Sequence, residues 1–303
     1  MSAAGLAPPL LGLALAPLLL GIVSRTKALF AGRRGAPLLQ PYHDLARLLK
    51  KGAVYSPTTT WAFRATPVVT LAAGIAVLFV LPFGSLPALL AFDGDFLLFA
   101  ALLAAARFFT IVGAFDTASS FPALGASREA TFSALAEPAL LLSVAVLTYL
   151  TGSLSLSTML GAITGLEWRQ AGPALVLVAA ALFVVLLAEC SRIPIDDPGT
   201  HLELTMIHEV MVLDHGGPDL AFVLYGSALK LWALAALVAG LLVPVRTGQV
   251  ALDGLAFLGG MIGLAIVLGV VESTMARLRL HRVPQLLVGA SAFAVLALLL
   301  ALR

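Results

Sequence analysis

The sequence predicts an all-α polytopic membrane protein. About eight transmembrane helices are expected, with an amphipathic interfacial helix and a cytoplasmic polar loop-helix between helices five and six. Three observations carry this. The mean hydropathy is +1.04 and only 11% of residues are charged, less than half the share usual in a globular domain. Apolar runs of about 20 residues, long enough to cross a bilayer, recur along the chain. The remaining charge is gathered into a few connectors. The 303 residues therefore read as a single membrane domain, 1–303, with a cytoplasmic connector at 24–66 and a cytoplasmic polar segment at 189–218.

The opening stretch lacks a basic n-region and stays apolar past signal-peptide length, so residues 6–23 read as a retained first helix. Pro8, Pro9 and Pro17 fall within it, and packed neighbours are expected to satisfy the carbonyls they free. In the connector that follows, Tyr42, Leu45, Leu48 and Leu49 recur at helical spacing behind Pro41 and end in a basic run. That pattern suits a short helix lying at the membrane surface. Further spans are expected at 67–90, 96–115, 131–150, 173–188, 220–243, 255–271 and 284–302.

Lys and Arg set the orientation. Of the 18 basic residues, 13 fall in the connectors 1–2, 3–4, 5–6 and 7–8. The opposite face carries Arg169, Arg246 and Arg303, while Arg107 and Lys230 lie inside spans. This places both termini outside and the polar segment in the cytoplasm. The lone Cys190 excludes an internal disulfide and a four-cysteine iron–sulfur site, and reads as a small packing residue. No internal repeat is evident, which weighs against an inverted-repeat transporter.

The rest is organised around residues 188–218, AECSRIPIDDPGTHLELTMIHEVMVLDHGGP, which hold six of the sixteen carboxylates and three of the five histidines. Asp197 suits a helix N-cap with Pro198 at the first helical position, and Gly216, Gly217 and Pro218 stop the helix. If that helix is continuous, His201, His208 and His215 line one face, as candidate proton shuttles near neutral pH. Glu203, Glu209 and Asp214 form either a chain of proton sites or a solvated acidic surface that docks a partner. A metal site from His201, His208 and Glu209 is disfavoured, because helical ligand pairs use spacings of three or four.

Glu137 sits inside the fourth span and Glu189 closes the fifth. A carboxylate in hydrocarbon is costly and faces protein or water. Each reads either as a member of a proton relay or as a structural group, Glu137 paired with an arginine or a backbone N–H and Glu189 with Arg192. Lys230 and Arg107 could answer these acids or merely snorkel. For Glu272, beside Arg277, Arg279 and Arg282, an ordinary salt bridge is expected.

Four patches together resemble one superfamily, that of the complex I subunit known as NADH dehydrogenase subunit 1. Its cytoplasmic segment reads close to ETNRAPFDLxExExELV. Here the matching residues run from Glu189 through Arg192, Pro194 and Asp196 to Glu203 and Leu204. The patch GASREATFSALAEP, 125–138, matches the family's arginine-then-glutamate pair through Arg128 and Glu137. GRRGAPLLQPYHDLARLLKK (32–51) and ESTMARLRLHRVPQLL (272–287) agree as well. RIPIDDP, the run 197–218 and GASREATFSALAEP are similar to the hydrogenase branch: formate hydrogenlyase subunit 4 and its relatives in membrane-bound group 4 nickel–iron hydrogenases. Gly199 and His201 stand where the quinone-reducing branch carries acids, and Ser24 precedes Arg25 where that branch has an acid, which counts against quinone binding.

The resemblance implies a membrane anchor and proton-translocating subunit of a complex I-like redox complex. It would itself be non-catalytic, with no redox centre and no metal. A nickel–iron large subunit and an iron–sulfur small subunit, holding those cofactors, would dock on the cytoplasmic face, and antiporter-like membrane subunits on the flank. The expected proton relay comprises Glu137, Glu189, Glu203, Glu209, Asp214 and Lys230, supported by ion pairs of Arg128, Arg192 and Asp196. The expected location is the cytoplasmic (inner) membrane of a prokaryote. The alternative is the quinone-site subunit of a complex I-type NADH or ferredoxin:quinone oxidoreductase.

Overall fold

A computed structural model describes residues 3–196 and 206–303. Its helices are α1 (Ala7–Phe30), α2 (Gln40–Leu48), α3 (Trp61–Val80), α4 (Asp95–Asp116), α5 (Ser120–Thr151), α6 (Leu156–Ala162), α7 (Gly165–Glu189), α8 (His208–Val212), α9 (Gly217–Leu242), α10 (Val250–Thr274) and α11 (Val283–Ala301). Eight helical stretches among the described residues are long and apolar enough to cross a membrane. The expected fold class and span number therefore hold.

Several spans are longer than hydropathy alone suggests. α5 begins at Ser120 instead of 131, so Arg128 is helical and not in a loop. α3 begins at Trp61, where the Thr60 hydroxyl accepts the Ala62 N–H and Asp116 accepts the Thr60 and Phe63 N–H groups. It ends at Val80, ten residues before the expected stop, because Pro82 biases Leu81 to extended backbone. α7 starts at Gly165 behind a Thr164–Glu167 capping box and kinks at Ala171, just before Pro173.

α9 is the central post. Its residues from Leu231 to Leu241 are all buried, and α1, α3, α7 and α10 pack around it. α1 shows how a proline is accommodated. Pro17 cannot donate to the Leu13 carbonyl, and the Tyr225 hydroxyl of α9 donates to that oxygen at 2.7 Å. Tyr42 of α2 donates to the neighbouring Ala14 carbonyl, so the interfacial helix is fastened to the α1 proline region. α2 itself keeps every residue at least partly exposed, as a surface helix should.

One expectation about the polar segment fails. Within the described residues no continuous helix runs to Gly216: Met206 and Ile207 are non-helical and α8 spans five residues. Asp197 and His201 lie outside the described residues. Gly217 and Pro218 do not stop a helix; they open α9. His208 and His215 accordingly do not share one helix face. His208 starts α8, whereas His215 lies beyond its end and stacks on Phe63 of α3, ring centroids 3.9 Å apart.

Candidate functional site: a charge cluster inside the membrane bundle

Arg107 is the node of the site. It projects from mid-α4 and is 7% exposed at its side chain. One guanidinium nitrogen donates to Glu137 Oε1 at 2.9 Å and another sits 3.2 Å from Glu189 Oε1. Lys230 of α9 completes the group, its ammonium 2.7 Å from Glu189 Oε2. Four helices thus contribute one charged residue each, two cations against two carboxylates. In hydrocarbon such a group persists because each charge finds its complement. Glu189 is buried, but 47% of the Glu137 side chain is exposed on the outer face of the bundle.

A cavity of about 340 Å³ opens beside the cluster, between α1, α2, α8 and α9. Glu189, Lys230, His208 and Glu209 line its inner end, while Pro17, Leu20, Val223 and Leu224 supply apolar walls. Burial, and next the Lys230 ammonium, push the His208 imidazole down to about 4 against the pull of Glu189. In this arrangement His208 is a neutral part of the cavity wall at physiological pH, which makes it a poor charge carrier. Burial likewise lowers His215, against Asp219 and Asp214. Cys190, which also lines the cavity, has its thiol pushed up to about 11 by burial, in keeping with an unreactive packing residue.

The polar segment is held over the bundle by its own ion pairs. Asp196 Oδ2 accepts the backbone N–H groups of Ile207 and His208, both at 3.1 Å, so it caps α8 from across the segment. Its other oxygen meets Arg277 at 2.9 Å. Arg128 donates to the Met206 carbonyl at 2.9 Å, pinning the returning chain to α5. Gly125 lets α8 close on α5: a Cβ there would lie 2.6 Å from the Ile207 carbonyl oxygen. That close approach is a physical reason for the glycine that opens GASREATFSALAEP.

The expected partners were partly different. Glu189 pairs with Arg107 and Lys230 and not with the nearby Arg192, which instead reaches Glu272 at 3.2 Å. Glu272 takes Lys27 at 2.8 Å as its second partner, not the basic run that follows it in sequence. Glu137 pairs with an arginine, Arg107 of α4. Glu209 is half-buried at the cavity, whereas Asp214 is exposed and lies near His215, away from the cluster. Glu203 lies outside the described residues. Among the described residues no group of three His, Cys, Asp or Glu side chains is placed to hold a metal ion.

One buried acid beside the charge cluster is not among the residues singled out from the sequence. Glu129, 6% exposed, points into the bundle from α5, one residue after Arg128. Its signal was available: it lies eight residues before Glu137 in a segment that hydropathy had assigned to a loop.

Residues 6–302 match the NADH dehydrogenase family. The chain belongs to the NADH dehydrogenase subunit 1 family. It is 31% identical to formate hydrogenlyase subunit 4 of Escherichia coli (strain K12) over 94% of this chain and 93% of that protein. It is also 31% identical to hydrogenase-4 component C of the same organism, over 80% of this chain and 76% of that one. With an NADH-quinone oxidoreductase subunit of Rubrobacter xylanophilus, 31% identity extends over 57% of this chain and 52% of the relative. The fold matches a chain of the membrane-bound sulfane sulfur reductase, an archaeal respiratory membrane complex. That match has a TM-score of 0.84, covers 98% of both chains and has 19% identity. The eight-helix architecture is thus shared with that chain.

Proposed function

We propose that this family member is the membrane anchor and proton-translocating subunit of a complex I-like redox complex of the group 4 nickel–iron hydrogenase kind. The observation that carries this is the bridge made by Arg107. It joins Glu189, at the wall of the cavity under the polar segment, to Glu137, at the outer face of the bundle. A proton arriving at the cavity through Glu209 has a contiguous set of titratable and charged groups leading to the flank.

The same geometry supports the partners. The polar segment and the basic connector lie at one end of the bundle, where a nickel–iron large subunit and an iron–sulfur small subunit would seat. A redox change there would bias the position of α8, and with it the field on Glu189 through His208 and Lys230. Those partners would hold the nickel–iron centre and the clusters. Glu137, half-exposed within a span, calls for a polar neighbour in the membrane, which fits an antiporter-like subunit on that face. The proposed location is a prokaryotic cytoplasmic membrane with both termini outside. Asp214, exposed beyond the end of α8, then belongs to the docking surface.

The test is Glu137→Gln in the intact complex in proteoliposomes. We expect electron transfer to continue while protons moved per electron pair fall by about tenfold or more. A normal ratio in an assembled mutant complex removes Glu137 from the path.

The 340 Å³ cavity favours one second reading, a quinone site, since its volume and apolar walls suit a small lipophilic ligand. Photolabelling of Leu20 or Leu224 by a quinone analogue, competed by quinone, would support it.

A further inference from the structure

Glu129 is the only buried carboxylate of the central cluster with no hydrogen bond or ion pair among the described residues. The surrounding charges balance without it, Arg107 and Lys230 against Glu137 and Glu189. Such a group is either a defect or a site whose occupancy by a proton matters.

Its position is specific. Two small voids meet at Glu129. One, about 10 Å³, is shared with Glu189 and Ser133, and holds roughly the space of a single water. The other, about 30 Å³, is shared with Lys230, Arg107, His208 and Thr110. Glu189, Lys230 and His208 also line the large cavity. Glu129 therefore stands behind the wall that those three residues form. The charged and titratable groups facing it are Arg107 from α4, Glu189 from α7 with Cys190 next to it, Lys230 from α9, and Asp196 and His208 from the polar segment.

We propose that Glu129 carries a proton of the relay and exchanges it with Glu189 as Lys230 turns between them. In the arrangement seen, Lys230 holds Glu189 as its carboxylate at 2.7 Å, and Glu129 keeps the proton. When the ammonium swings across the shared void to Glu129, negative charge is favoured there and the proton on Glu189. One O–H bond breaks on Glu129 and one forms on Glu189. The three groups keep their total charge and nothing is oxidised or reduced. Lysine suits this role, being a flexible stem with a compact charge. The inference rests on the relay reading above.

The experiment compares Glu129→Gln, Glu129→Asp and Glu137→Gln in the complete complex in proteoliposomes, reading protons per electron pair and their pH profile. We expect Glu129→Gln to assemble and lose about tenfold or more of the ratio, and Glu129→Asp to restore most of it. A wild-type ratio in Glu129→Gln overturns the proposal. If Glu137→Gln then loses its ratio, only the role of Glu129 falls; if it too is normal, the relay falls with it. Should Glu129→Gln fail to assemble, Glu129→Asp decides. A displaced pH profile supports proton exchange, whereas an unchanged profile at full ratio overturns it. Loss of the ratio in both variants without pH dependence, or failure of both to assemble, assigns Glu129 a packing role and also overturns it.

Discussion

Arg107 concentrates the energetics of the interior in one side chain. Glu189 lies between it and Lys230, and the Glu189 side chain is only 4% exposed. Removing one member of a buried pair leaves the other uncompensated, at about 3 kcal/mol or more. Arg107→Leu is therefore expected to lower the midpoint of thermal unfolding in detergent and the yield of assembled complex. Glu137→Gln should disturb stability less, since that side chain is half-exposed. An Arg107→Leu protein as stable as wild type would show that the bridge is not what holds these carboxylates. His208 adds a pH dependence. Its folded-state value, about 4, lies below the ordinary 6.5, so folding excludes a proton. Stability from this group is present above about 6.5 and is lost as pH falls toward 4. His208→Gln should flatten the midpoint-against-pH curve in that window, and an unchanged slope would contradict the burial argument.

At the scale of elements, the informative contacts are those between helices distant in sequence. Tyr225 on α9 repairs the carbonyl that Pro17 frees on α1. Tyr225→Phe should cost about 1–2 kcal/mol, the penalty of a buried unpaired carbonyl, measurable as a drop in unfolding midpoint. Gly125 matters differently. Its Cβ would meet Val210 at 2.3 Å as well as the Ile207 carbonyl, so Gly125→Val should push α8 off α5. The span bundle would stay folded, while docking of the peripheral subunits, read by co-purification, is lost. Element boundaries explain the main misreadings. Residues 120–130 of α5 are too polar to register as span, yet they continue its helix. Hydropathy therefore starts the span at 131, beyond both Arg128 and Glu129. The segment 206–216 has capping residues and helical periodicity, but tertiary contacts broke it: Asp196 binds the Ile207 and His208 N–H groups, and Phe63 draws away His215.

For the whole molecule, polarity is segregated by end. The α1–α3 connector, the α4–α5 corner, the polar segment and the start of α11 share one end, tied by Lys27–Glu272–Arg192 and Arg277–Asp196. Arg246 lies at the other, donating to the Leu160 carbonyl at 2.9 Å. The proposed orientation, with the basic end in the cytoplasm, predicts that Arg33→Cys reacts with a membrane-impermeant thiol reagent only from the cytoplasmic side, and Gln249→Cys only from outside. Cys190, half-buried with a raised thiol, should stay silent in both. The reverse pattern would invert the topology. Eight spans, the interfacial helix, the family and the acids Glu137 and Glu189 were all legible in the sequence, because hydropathy runs, loop charge and rare intramembrane carboxylates are local signals. Which cation meets which carboxylate was not. Arg107, Glu137, Glu189 and Lys230 come from four helices separated by scores of residues, and Arg192 sits three residues from Glu189 yet binds Glu272. Pairing of buried charges follows the packing of helices in space, and only the tertiary structure decides that.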